Sequence, residues 1–264
     1  MARAGPLARS AVVEIGCGTG SSTAALAPHV AHIQAYDIAP ASVAAAQSRL
    51  AILGLSERAD CTCFEPKSLL ATMVSRARVC AGVGGSSHPQ VDIVLIYAVL
   101  EHQTVSERLE TLRVCWEVLR PGGVLVVADT PNRLTYWDAH TSELPFYHML
   151  PDSIALPYAA RSPRAGLRDS IAEVRAKGHD AAAEVLARWG RGVSYHEFEL
   201  ALGDLTDLVI ADGFAPEMME WLGLSLEEEV LIDYWKRKPI PVPIGFARKT
   251  IDVILRKPEG DAAA

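Results

Sequence analysis

In "AVVEIGCGTGSST", residues 11–23, Gly16, Gly18 and Gly20 fall at alternate positions behind a single carboxylate, Glu14. Glycine reaches the backbone angles of a tight turn and lets a ligand approach the main chain. A strand that ends in such a loop and opens a helix therefore offers a binding seat. The loop alone does not choose the ligand. A dinucleotide seat reads Gly-x-Gly-x-x-Gly, and Ser21 stands here where the third glycine belongs. Glu14, two residues before the first glycine, repels a pyrophosphate and welcomes an ammonium group. Asp37 has the spacing of a carboxylate that accepts hydrogen bonds from ribose hydroxyls. Singly, Glu14 reads as an exposed acid at a helix entry and Asp37 as an N-cap. Together they describe a ligand with a ribose and an ammonium group but no phosphate.

A second group of reactive side chains lies further on. His102 follows Glu101 directly, and a histidine pKa of about 6.5 suits proton abstraction near neutrality; packing at a helix start is its structural alternative. Beyond Pro131 the stretch "NRLTYWDAHTSELPFYHMLPDSIALPYAARSPR" mixes aromatics, histidines and prolines without helical or strand period. Tyr136, Trp137 and His148 in it combine apolar walls with polar groups, as a small-molecule pocket requires, and His140 is the alternative base. These side chains read equally as a packed loop.

Short β-branched runs alternate with alanine- and leucine-rich segments of helical period, the pattern of a parallel α/β sheet. Strands are expected at 11–16, 31–37, 59–64, 91–97 and 124–130, and helices at 21–28, 41–53, 67–80 and 104–119. The run at 91–97 has no polar alternation and reads as fully buried. After the irregular insertion, helices are expected at about 167–189 and 195–212. "GFAPEMMEWLG" (213–223) and "FARKTIDVILRKP" (246–258) are expected as two closing strands, the second with one solvated face. The reading is one domain over 1–264, a substrate lid over 131–200 and a disordered tail at 258–264.

Composition excludes several alternatives. Half of the 264 residues are hydrophobic, enough for a substantial core, and the net charge of -7 gives no basic excess for nucleic acid. Lys236-Arg237-Lys238 reads as a solvated turn. Five cysteines, odd in number and mostly within apolar runs, suit a reducing cytoplasm, and Cys61-x-Cys63 lacks the second pair of a zinc site. No apolar run is long enough for a membrane span, and the N-terminus lacks a signal-peptide core. A cytoplasmic protein is the expectation.

Ribose and ammonium without phosphate is the combination found in S-adenosylmethionine, and the chain resembles the class I S-adenosylmethionine-dependent methyltransferases. The resemblance rests on Glu14-Ile-Gly-Cys-Gly-Thr-Gly20, on Asp37, on "VDIVLIYAVLEH" (91–102) and on "VLRPGGVLVVADTPNR" (118–133). The last segment and Glu101-His102 are similar to the ubiquinone-biosynthesis O-methyltransferase branch. The resemblance covers residues 11–133 and implies a Rossmann-like, mostly parallel seven-stranded sheet with helices on both faces, a reversed last hairpin and a lid inserted after strand five. It assigns Glu14, Gly16, Cys17 (backbone only), Gly18 and Gly20 to the methionine end and Asp37 and Ile38 to the ribose and adenine. Tyr97 falls beside the methionine portion, and Glu65 is the candidate for adenine recognition. In the ubiquinone branch this loop can hold a metal, with an acid three residues before the glutamate. Ala98 occupies that place, so no metal is expected. The implied activity is methyl transfer to a small-molecule acceptor, by preference to oxygen, with S-adenosylhomocysteine as product. N- or C-methylation and a non-catalytic regulatory role stay open, and Glu14 and Ser21 weigh against a nicotinamide oxidoreductase.

Overall fold

The computed structural model describes residues 7–65, 91–237 and 242–259, with the side chains of residues 221 and 222 excepted. The helix expected at 67–80, and with it Cys80, lies outside the described residues, as does the tail from 260 onward.

Among the described residues, seven strands form one sheet: β1 (Ala11–Ile15), β2 (His32–Asp37), β3 (Ala59–Cys63), β4 (Val91–Tyr97), β5 (Leu119–Pro131), β6 (Val209–Asp212) and β7 (Thr250–Arg256). They lie in the order β3-β2-β1-β4-β5-β7-β6. The first five run parallel, and β7 pairs antiparallel with both β5 and β6. This is a mostly parallel α/β sheet of Rossmann-like type. Its strand order reverses at β1/β4, and in open α/β sheets ligands bind beyond the carboxyl ends at such a point.

The β-branched runs explain why the centre is buried on both sides. Val13, Ile15, Val94 and Ile96 face one apolar cluster, while Val12, Ile33, Ala35, Ile93 and Leu95 face another. The second cluster is closed by α1 (Ser21–Leu26) and α2 (Pro40–Ile52), whose Val43, Ala46 and Leu50 point inward. The first is closed by α3 (Val105–Val118), with Leu112, Cys115 and Val118 inward. Thr104 and Glu107 form a capping box at the start of α3, which satisfies amides that a helix end leaves open.

The insertion after β5 holds α4 (Asp152–Tyr158), α5 (Ala165–Arg175) and α6 (His179–Trp189), followed by α7 (Tyr195–Leu202). Tyr147, Leu156, Leu167, Ile171 and Leu186 give it an apolar cluster of its own. The single helix expected at 167–189 is two helices, because Gly178, at φ +116°, turns the chain between them. The carboxyl-terminal elements also differ from expectation. "GFAPEMMEWLG" forms α8 (Pro216–Leu222), not a strand, with Pro216 in its first turn. The sixth strand is the short β6 just before it, inside the stretch expected as helix. A further helix, α9 (Leu226–Arg237), carries the exposed Lys236 and Arg237 in its last turn, so that end of the basic cluster is helical. In β7, Ile251, Val253 and Leu255 are buried; on the other face Asp252 is buried, Thr250 and Ile254 are partly exposed and Arg256 is exposed, so the expected solvated face is only partly open. No helix among the described residues is long and apolar enough to cross a membrane.

Candidate active site

The glycine loop follows β1 and is fastened from below. Tyr36 at the end of β2 accepts from the amides of Gly16 (2.7 Å) and Cys17 (3.0 Å), Cys17 accepts from Gly20 (2.8 Å), and Asp37 Oδ2 accepts from Gly18 (2.8 Å). Four loop amides are thereby used within the protein. Asp37 Oδ1 also accepts from Ala39 (2.8 Å), so one carboxylate ties the loop to the entry of α2. Gly16 sits at φ +74°, and a Cβ there would lie 2.2 Å from Val99 Cγ2. The loop and the turn after β4 are therefore in direct contact.

Glu14, which the resemblance assigns to the methionine end, is closed off from solvent. It is 1 % exposed, and its two oxygens accept from the hydroxyls of Ser22 and Thr23 in the first turn of α1. Burial raises its pKa, against the two hydroxyls that lower it. Its role is to anchor the loop to the helix from behind. Cys17 is buried as well, consistent with a backbone contribution alone.

Above the loop is a cavity of about 950 Å³, at the upper end of the roughly 300–1,000 Å³ of small-molecule sites. Gly16, Gly18, Asp37, Ile38, Phe64 and Glu65 line it on the β1–β3 side. His102, Gln103, Thr104, Glu107, Glu110, Glu184 and Arg188 line it on the side of β4, α3 and α6. Ile38 is half exposed, an apolar surface beside Asp37. Tyr97 is not among the lining residues; its hydroxyl bonds to Asp129 at the end of β5, and that carboxylate raises its pKa.

Strand β4 passes into the site through Ala98 at φ +52°, a left-handed conformation that strains a non-glycine residue. A 3-10 turn, Leu100–His102, follows. Arg108 of α3 holds this turn. Its guanidinium is 1 % exposed and donates to the carbonyls of Leu100 (2.7 Å), Glu101 (3.3 Å), Arg191 (2.7 Å) and Gly192 (3.3 Å) and to Glu197 (3.0 Å).

That clamp brings the two candidate bases together. Glu101 is fully buried, and Nε2 of His102 and Nε2 of His140 each stand 3.8 Å from its Oε1. The imidazole centroids are 5.2 Å apart. Burial pushes the Glu101 carboxyl up to about 7. Burial lowers His102, opposed by the Arg188 carbonyl, and lowers His140, aided by the neighbouring His102.

Tyr136, Trp137 and His148, expected to line an acceptor pocket, do not line this cavity. His148 is 1 % exposed, with Nε2 on Asp138 (3.0 Å) and Nδ1 accepting from the Gly192 amide (3.0 Å). With both nitrogens used it is an internal tie of the insertion, not a pocket group. Tyr136 lines a separate groove of about 420 Å³ with Phe146, Met149, Val230 and Tyr234. Trp137 is nearly half exposed and lines neither space. In their place α6 supplies Glu184 and Arg188. Their i, i+4 spacing puts both on one helix face, but nothing in the sequence marks that face as a cavity wall.

Comparison with known proteins agrees with the glycine-loop half of this site. Residues 13–125 match the family model described as a methyltransferase domain, somewhat under half of the chain. No curated protein matches. Solved structures similar to the chain include precorrin 8W decarboxylase of Methanobacterium thermoautotrophicum, 25 % identical over 48 % of this chain and 57 % of that one, with a TM-score of 0.37. A second is an S-adenosylmethionine-dependent methyltransferase of Clostridium acetobutylicum (14 %, 53 % and 50 %, TM-score 0.41). A third is the N-methyltransferase NodS of Bradyrhizobium japonicum in complex with S-adenosylhomocysteine (21 %, 46 % and 52 %, TM-score 0.34). The chain thus spans about half the length of each. The matched segment runs from within β1 to within β5, the parallel part of the Rossmann-like sheet that positions the glycine loop.

Proposed function

We propose that this chain is an S-adenosylmethionine-dependent methyltransferase that modifies a small-molecule acceptor, by preference at oxygen. The observation that carries the reading is one continuous cavity with two unlike sides: Gly18, Asp37, Ile38 and Glu65 towards β1–β3, and His102, Glu184 and Arg188 towards β4 and α6. The first side fits the donor. Gly16, Cys17, Gly18 and Gly20 have their amides occupied, so the loop is poorly equipped to cradle a pyrophosphate. Asp37 instead offers a carboxylate to ribose hydroxyls, Ile38 an apolar surface to the adenine, and Glu65 an acceptor for its amino group. When bound, S-adenosylmethionine supplies a methyl group already activated by the positive sulfur.

The residues of this chain then have three tasks: to hold the acceptor in line, to exclude water and to accept a proton. His102 lines the cavity beside Glu101 and His140, and this group of nitrogen and oxygen lone pairs is suited to an acceptor hydroxyl. The insertion, residues 131–200, acts as the acceptor-side wall and lid, since α6, with Glu184 and Arg188 on the cavity, comes from it. A second reading, methylation of an amine, has support in Glu107, Glu110 and Glu184, which give the acceptor side three carboxylates.

Calorimetric titration with S-adenosylhomocysteine and with NADH tests the donor. Micromolar binding of the first and none of the second is expected; binding of NADH alone would overturn the reading. Mass spectrometry of a deuteromethyl product, after screening phenols, carboxylates and amines, decides between oxygen and nitrogen.

A further inference from the structure

We infer that Glu101, His102 and His140 form a binding site for one divalent transition-metal ion of the zinc class. The three side chains come from two places in the chain: the turn after β4 and the insertion that follows β5. One ligand atom from each lies within 4.8 Å of the others.

Hydrogen bonds on the far side of each ring set the chemistry of the cluster. His102 Nδ1 lies 2.9 Å from the carbonyl oxygen of Arg188, which only accepts, so Nδ1 carries the proton. His140 Nδ1 lies 3.1 Å from Thr141 Oγ1. That hydroxyl gives its own proton to the Gly190 carbonyl at 2.8 Å, so it accepts from Nδ1. Both imidazoles are thus held as the Nδ1–H form, with the Nε2 lone pair turned towards Glu101. A hydrogen-bonded far nitrogen of this kind is the usual outer support of a metal-ligating histidine.

Glu101 completes the set. It is fully buried, and among the described residues no hydrogen bond from another residue reaches either carboxylate oxygen. A buried carboxylate without a donor is costly. Here it faces two nitrogens that also present lone pairs, so with the carboxyl ionised three acceptors converge. A cation satisfies all three. Ligands at about 2.0–2.1 Å from zinc stand roughly 3.4 Å apart in a tetrahedron. The two 3.8 Å separations therefore need only a few tenths of an ångström of contraction.

Two nitrogens and one carboxylate favour zinc, cobalt or nickel over magnesium or calcium, which prefer oxygen donors throughout. The expectation of no metal rested on Ala98, where an acid was missing from the loop. His140 supplies a third ligand from outside it. Because His102 lines the cavity, a fourth coordination position would open towards the acceptor side. On the methyltransferase reading proposed above, that position suits an acceptor oxygen.

The test is a titration of chelator-stripped full-length protein with Zn²⁺ in competition with a chromophoric chelator, and separately with Co²⁺ followed by visible absorption. One equivalent of each should bind, with a cobalt d–d band, and millimolar Mg²⁺ should not compete. Glu101→Gln and His140→Ala should each weaken Zn²⁺ binding at least about tenfold, while His179→Ala and His196→Ala, at exposed positions, should not. Failure of the wild type to bind a full equivalent, or unchanged affinity in both ligand variants, overturns the site. Circular dichroism and S-adenosylhomocysteine titration on the same samples separate the two proposals. Cofactor binding without zinc sinks only the metal site, and zinc binding without cofactor sinks only the methyltransferase reading.

Discussion

Arg108→Met tests how the turn that presents Glu101 and His102 is held. The guanidinium is buried and serves four carbonyls and one carboxylate, while methionine fills similar space without a donor. Removing one partner of a buried ion pair costs about 3–5 kcal/mol, because the other charge stays behind uncompensated. Glu197 keeps the amide and hydroxyl of Ser194 as donors (3.3 and 3.4 Å), which argues for the lower end, about 3 kcal/mol, from the pair. The carbonyls of Leu100, Glu101, Arg191 and Gly192 add to it wherever water cannot reach them. Against a total stability of about 5–15 kcal/mol the loss is large. Urea unfolding should show a lower midpoint at unchanged slope, and thermal unfolding a fall of at least about 6 °C. Arg108→Met/Glu197→Gln removes the stranded charge and should recover only part of the loss, since the carbonyls stay unserved. A single variant within about 1 kcal/mol of the wild type refutes the clamp. Full recovery in the double variant refutes the carbonyl contribution, and with it the view that Arg108 positions the turn.

Further outcomes follow from the same geometry. Gly16→Ala should lower S-adenosylhomocysteine affinity at least about tenfold, since its Cβ would meet Val99 at 2.2 Å on top of a left-handed backbone costing about 1–2 kcal/mol; Gly18→Ala, at φ +50° with nothing within 4 Å, should show only the strain. Calorimetry and urea unfolding distinguish the two. Asp37→Ala should weaken the same ligand about tenfold to a hundredfold, from the loss of hydrogen bonds to a charged group worth about 1.5–3 kcal/mol and of the tie to Gly18; unchanged affinity would remove Asp37 from the site. Glu107 is held down to about 2, first by its hydrogen bonds to Arg188. A carboxyl depressed on folding contributes stability that is present above its ordinary value and is lost as pH falls through about 2. The melting-temperature gap between wild type and Glu107→Gln should therefore narrow as pH falls from 6 to 2, and a constant gap would contradict the pairing.

The glycine loop, Asp37 and the five parallel strands were legible because their signals are local. A β-branched run such as "VDIVLIY" reports burial on both faces without knowledge of its neighbours. The carboxyl-terminal part was misread where local signals conflict. "VIAD" is four residues long and becomes a strand through pairing with β7, whereas Pro216 and the residues after it favour the helix they form. Glu14 was misread for a subtler reason. Its charge was weighed against a ligand in front of the loop, but Ser22 and Thr23, eight and nine residues on, draw it behind.

The acceptor side was illegible for a different reason: its groups meet only through contacts far apart in sequence. His102 reads locally as a helix-start histidine, and what fixes its ring is the Arg188 carbonyl, 86 residues away. His140 was singled out as an alternative base, but its approach to Glu101 could not be read locally, and neither it nor the more conspicuous Tyr136 and Trp137 lines the cavity. Arg108 and Arg188 reach across the same gap from opposite sides, one to the Arg191 and Gly192 carbonyls and the other to the His102 carbonyl and Glu107. The insertion and the turn after β4 are thus locked together by charge-assisted hydrogen bonds, which are stronger than neutral ones. An element fastened in this way does more than cover a finished site. It supplies one member of the Glu101 cluster and the backbone that orients another, so changes of acceptor chemistry among similar folds should track residues 131–200 more closely than the glycine loop.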